Sequence, residues 1–178
     1  MTFTESIRTC LTRKYANFRD RAPRSEYWWF VLFGIIVSFI AGFLDSALGL
    51  APEVTVDPED PFTTGMQPTG PIAAIIGLAL VIPNIAVTAR RLHDVGRSGW
   101  WMLLPAAVIF GGAVFILLAP ALFIVLAIAA IAAGLLLLWW MVKPSEPGPN
   151  RWGPNPFEDD VPPPGGTYAA SRVPSVDR

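Results

Sequence analysis

The chain has 178 residues, 53% of them hydrophobic and 15% charged, and its mean hydropathy is +0.48. That balance excludes an ordinary soluble domain and points to membrane-embedded helices. The single cysteine, Cys10, excludes an internal disulfide, and one cysteine with one histidine is too few for a thiolate or multi-histidine metal centre. No metal and no cofactor is therefore expected.

Residues 1–24 read as a basic amphipathic helix. Thr2 and Glu5 stand at capping-box spacing, which starts a helix near Phe3. Phe3, Ile7, Cys10, Leu11, Tyr15 and Phe18 recur at helical spacing, with Arg8, Arg13, Lys14 and Arg19 largely on the other side. Such a helix either lies in the headgroup plane or packs on the loops of its own protein. A cleaved signal peptide is not expected, because the charged region is too long and no small-residue cleavage site follows a short apolar core.

The first apolar run, Tyr27 to Leu44, is about 27 Å long as a helix, just enough to span a bilayer core of about 30 Å. Ser25 is the expected N-cap, and Glu26 in the first turn suits the helix dipole. Tyr27, Trp28 and Trp29 read as interfacial anchors. The following stretch, 45–70, carries Asp45, Glu53, Asp57, Glu59 and Asp60 without a single Lys or Arg. It lacks the spaced ligand pattern of a calcium loop, so it reads as a solvated loop.

A second run covers 71–89. Pro83 in it cannot donate to the carbonyl of Ala79, which predicts a kink, and Asn84 is expected to bond across to another helix. Then comes a charged island, Arg90 to Trp101, holding the only histidine of the chain, His93. Trp100 to Val142 is uncharged, too long for one helix and suited to two, with Ala119-Pro120 as the hairpin between them and Gly111-Gly112 allowing close approach. Trp100, Trp101, Trp139 and Trp140 complete the aromatic anchors, and Lys143 ends the run. The tail, 144–178, is rich in Pro and Gly and reads as largely disordered after 158, with turn chemistry around Trp152.

The predicted fold is thus an all-α membrane protein of four transmembrane helices in two hairpins, with an N-terminal amphipathic interfacial helix. The transmembrane domain is 25–143, with spans at about 27–46, 71–89, 100–118 and 121–142. All thirteen Lys and Arg residues fall before the first span, in the island, or after the last span. The positive-inside rule then puts both termini and the island in the cytoplasm, and the acidic loop outside.

Three stretches carry a family resemblance: Arg24-Ser25-Glu26-Tyr27-Trp28-Trp29-Phe30, Ala89 to Trp101, and Asn150-Arg151-Trp152-Gly153-Pro154-Asn155-Pro156. Together they resemble the DUF805 family of small, YhaH-like bacterial inner-membrane proteins, over roughly residues 10–157. Two departures are the acidic 45–70 loop and Trp152, which stands where Phe is expected. The resemblance implies a multi-pass protein of the bacterial plasma membrane. It implies no established activity, and it transfers no catalytic residue.

The island admits a structural and several functional readings. Structurally, Gly96 and Gly99 permit a turn, Ser98 caps the third span, and Asp94 pairs with a neighbouring arginine in an exposed pair worth about 0–1 kcal/mol. Functionally, Arg90, Arg91 and Arg97, with His93 and Asp94, joined by Arg24 and Arg151, would form an anion or lipid-headgroup site. Catalysis by His93 oriented by Asp94 is disfavoured, because adjacent helical residues do not face each other and no nucleophile elbow or phosphate loop accompanies them. An oligomeric transporter or channel subunit is the alternative, with Asn84 beside Pro83 as its only hint inside a span. The expected role is a non-enzymatic lipid- or partner-binding module. Its partners would be membrane lipids, anionic ones included, a second copy of the chain or another membrane protein, and not nucleic acid.

Overall fold

The structure, a computed structural model, describes residues 1–52, 69–109 and 123–157. Helix α1 (Phe3–Arg8) starts as its spacing predicts: the Thr2 N–H donates to Glu5 Oε2 at 2.8 Å, and the Glu5 N–H donates to Thr2 Oγ1. It widens into a π-helical turn over Thr9–Arg13 and stops at Lys14, whose φ of −131° leaves the helical region. Residues 14–23 are irregular, with Asn17 making the turn by accepting from the Arg19 N–H and donating to Asp20. A helix running to residue 24 is therefore not formed. The segment packs on its own protein: Ser6 Oγ donates to the Glu26 carbonyl at 2.6 Å, and Cys10 and Ala22 join a core with Phe30, Leu80 and Val87.

Helix α2 (Arg24–Ala47) and helix α3 (Pro71–Asp94) are the main pair. At about 1.5 Å per residue, 24 residues reach about 36 Å, enough to cross a bilayer core. The N-cap of α2 is Pro23, not Ser25, and α3 begins with Pro71 at N1, where the missing N–H costs nothing. Instead of ending at residue 89, α3 carries on through Arg90, Arg91, Leu92, His93 and Asp94. The island's charged residues can stay helical because they find partners inside the protein.

Inside α3, Pro83 leaves the Ala79 carbonyl without its helical donor, and the Tyr15 hydroxyl donates to that oxygen at 2.7 Å. Asn84 turns inward on its own helix, donating to the Leu80 carbonyl at 2.9 Å instead of reaching across to a neighbour. The far end of the α2–α3 pair is closed by Asp45. Its carboxylate accepts from the Ile72 N–H at 3.0 Å and the Ala73 N–H at 2.8 Å, capping the N-terminus of α3 from the end of α2. Asp45 is therefore buried, unlike the solvated residue expected at the start of the acidic loop. The rest of that loop, 53–68, lies outside the described residues.

Gly96, at φ +74°, turns the chain out of α3. Helix α4 (Gly99–Ile109) opens as a 3-10 turn, and the Ser98 side chain makes no cap bond to it. Helix α5 spans Phe123–Val142. The Gly111-Gly112 pair and the Ala119-Pro120 hairpin lie outside the described residues. Among the described residues every regular element is helical, and three helices, α2, α3 and most of α5, are long and apolar enough to cross a membrane. Large apolar side chains such as Phe39, Phe43, Ile75, Leu78 and Ile128 point outward along them while charged residues sit inside. This inversion of a soluble protein's pattern fits an apolar solvent.

Candidate functional site

The Asp94 end of the helix pair gathers three distant stretches of the chain: residues 21–26, the last turns of α3, and the tail after α5. Arg90 donates to Glu26 Oε1 at 2.7 Å and to the carbonyls of Lys14 and Asn17 at 3.0 and 2.8 Å. Arg91 donates to Asp94 Oδ2 and to the carbonyls of Met141 and Trp140 at 3.1 and 3.3 Å, and to that of Lys143. Arg21 donates through Nε to Asp94 Oδ1 at 3.1 Å and reaches the carbonyls of Asp94, Glu146 and Gly148. Asp94 thus holds Arg91 and Arg21 at once, and also accepts from Ser145 Oγ. Both ion pairs of Asp94 and the Arg90–Glu26 pair are buried, with side chains at most 2% exposed. The pair expected to be exposed is a dry one, where a missing partner is expensive.

Two further bonds fasten the tail. The Glu146 N–H donates to the Asp94 carbonyl at 2.9 Å, and Asn150 Nδ2 donates to the His93 carbonyl at 3.0 Å. Together these contacts finish α5. Of its last four carbonyls, that of Trp139 receives the Lys143 N–H, those of Trp140 and Met141 receive Arg91, and that of Val142 receives Arg24 at 3.3 Å. Arginines from two other helices cap α5 where its own chain cannot. Among the described residues Arg90 Nε is the one buried side-chain nitrogen or oxygen without a partner, so the cluster is close to fully satisfied.

The candidate anion residues divide into two groups. Arg90, Arg91 and Asp94 are internal, whereas Arg24, Arg97 and Arg151 are exposed. Arg97 sits 5.2 Å from the Trp140 ring and Arg151 3.9 Å from the Trp152 ring. His93 stacks on Trp152, centroids 4.5 Å apart, and its Nδ1 lies 3.3 Å from the Asp20 carbonyl. Asp94 is held by its arginines and serine, so no bond links it to the His93 ring. Among the aromatic anchors, Trp28, Trp29, Trp100, Trp101 and Trp139 are exposed and Tyr27 is half-buried. Trp140 turns inward instead, packing with Leu92, Val95 and Met141 and edge-on to Trp101.

Sequence reasoning missed Arg21 and the counter-charge role of Glu26. Charge parity carried the signal: arginines buried in an apolar protein require carboxylates near them, and Glu26 stands at the start of the first apolar run. Cys10 lies 3.6 Å from Arg90 and 3.8 Å from Glu26. Burial, reinforced by the Glu26 charge, pushes its thiol up to about 12, so it is protonated and unreactive at neutral pH. Outside the cluster, a hydrogen bond from Lys14 holds the Asp20 carboxyl below the usual range.

A family profile described as "Protein of unknown function (DUF805)" matches residues 15–154. The inner membrane protein YhaH of Escherichia coli strain K12 is 39% identical over 88 residues, covering 49% of this chain and 62% of that protein. The inner membrane protein YhaI of the same organism is 34% identical over 87 residues, covering 49% of this chain and 59% of its own. The matched part thus spans about three fifths of the length of these relatives. No solved structure matches the chain. The match takes in the first two motif stretches and the third as far as Pro154, and the structure brings the three together at the Asp94 end; the chain is a membrane protein of the DUF805 family, a family of unknown function.

Proposed function

We propose that the protein is a four-span protein of the bacterial inner membrane, with both termini and the Asp94 end in the cytoplasm, that acts as a non-enzymatic lipid-binding module. The fourth span would run from α4 through residues 110–118. The observation that carries the lipid reading is the division of the arginines. Arg21, Arg90 and Arg91 are consumed by internal partners, while Arg24, Arg97 and Arg151 have exposed side chains, Arg97 and Arg151 lying over the rings of Trp140 and Trp152. Cations placed among aromatic anchors at the ends of apolar helices suit the phosphates of an anionic leaflet, at about 1 kcal/mol each. The internal arginines build the scaffold and the surface arginines meet the headgroups, Arg24 also capping the Val142 carbonyl.

Native mass spectrometry of the purified protein tests this. The Arg24→Gln/Arg97→Gln/Arg151→Gln variant should fold and lose most co-purified phosphatidylglycerol and cardiolipin. A folded variant with the wild-type lipid profile would overturn the reading. Reporter fusions after residue 157 and within 53–68 test the topology separately.

A further inference from the structure

A cavity of about 480 Å³ lies between the last turns of α3 and the opening of α4, lined among others by Ile85, Ala89, His93, Gly99, Leu103 and Trp152. Its size is that of a small-molecule site. Among the described residues no charged side chain lines it, and apolar surface dominates. Its sharpest polar feature is the imidazole of His93. The Nδ1 of that ring faces the Asp20 carbonyl, which can only accept, so Nδ1 carries the hydrogen. In the neutral ring Nε2 is then a bare acceptor. It points toward Gly99, where a Cβ would stand 3.5 Å from Nε2 and 3.1 Å from the Ala89 Cβ. Glycine at this position leaves Nε2 uncovered on the cavity wall. Phe18, Ile85 and Trp100, which also line the cavity, have exposed side chains, so the cavity borders the outer surface of the protein.

From these features we infer that the cavity takes the uncharged, hydroxyl-bearing end of a membrane lipid of the acylglycerol type. A hydroxyl donates to His93 Nε2, and the carbons beside it lie against Ile85, Leu103 and the Trp152 ring. A charged headgroup is disfavoured because no charged side chain is among the described lining residues, the Arg151 guanidinium lying over the Trp152 ring rather than in the wall, so its desolvation would go uncompensated. A plain hydrocarbon would leave the acceptor unpaired. The ligand differs in charge from the lipids met by the surface arginines, so this site stands or falls apart from them.

His93 is the only histidine in the chain, so labelling histidine with nitrogen-15 gives a single imidazole pair. The full protein in phosphatidylcholine nanodiscs should show the Nδ1–H tautomer. Adding 1-monooleoylglycerol should shift the Nε2 resonance saturably. The analogue with both hydroxyls methylated should bind on the order of tenfold more weakly, the worth of one hydrogen bond to an otherwise unpaired acceptor. Leu103→Trp, which fills the cavity, should abolish the shift and leave the tautomer unchanged. An Nε2–H tautomer, the absence of a saturable shift, or equal binding of the methylated analogue or of oleate would each overturn the inference.

Discussion

At one end the α2–α3 pair is closed by a single carboxylate, Asp45, accepting from two backbone N–H groups. At the other it is closed by Arg21, Glu26, Arg90, Arg91 and Asp94 with the backbone of the tail. Both ends answer the same need, since polar groups away from water must be paired. The Asp45 cap involves one side chain and one helix terminus, so its loss is local. In the Asp94 cluster each charge is the partner of another, so removing one strands the rest. Redundancy of contacts here means greater vulnerability.

The comparison is sharpest at Asp94. Asp94→Asn leaves Arg21 and Arg91 buried without counter-charge and should cost about 3–5 kcal/mol. Equilibrium unfolding in detergent measures this. Alkylation of Cys10 gives a second readout, because its buried thiol should be inert at pH 8 in the native protein and react as the cluster opens. A loss at Asp94 no larger than that of Asp45→Ala, expected at about 0.5–2 kcal/mol, would break the comparison.

Next in size is Gly70→Ala. Its Cβ would lie 2.3 Å from the Asp45 Cγ, so the cap must shift, at about 1–3 kcal/mol. An Asp45→Gly background removes all three side-chain atoms that the new Cβ would meet, the Asp45 Cβ at 2.6 Å included, so there the added cost should nearly vanish, whereas independent effects would add. The smallest effect is expected midway between the ends. Tyr15→Phe removes the donor to the Ala79 carbonyl and should cost about 1 kcal/mol. With Pro83→Ala the helix supplies its own N–H to that carbonyl, and the cost of Tyr15→Phe should disappear. A cost unchanged by Pro83→Ala would show that Tyr15 acts by packing alone.

How much of this was legible in the sequence varies by element. The capping box at Thr2 and Glu5 was, because its bonds join residues three apart. The helical runs at α2, α3 and α5 were, because length and apolarity are properties of a segment by itself. Where α3 ends was not. A dense run of charge looks like the edge of a membrane helix until its partners are known, and Arg21, Glu26 and the α5 carbonyls lie 73, 64 and about 50 residues from theirs along the chain. Asp45 was misread for the same reason, since the N–H groups it caps belong to the next helix.

The sequence by itself therefore determined the membrane class, the apolar helices and the charged stretch that ends α3. Only the tertiary structure decided which arginines are scaffold and which are surface, that Trp140 faces inward, and that Asp45 is a cap. The division has one physical cause. Hydrophobic patterning is read from neighbours along a helix, whereas pairing a buried charge depends on whatever group the fold brings within about 3 Å of it.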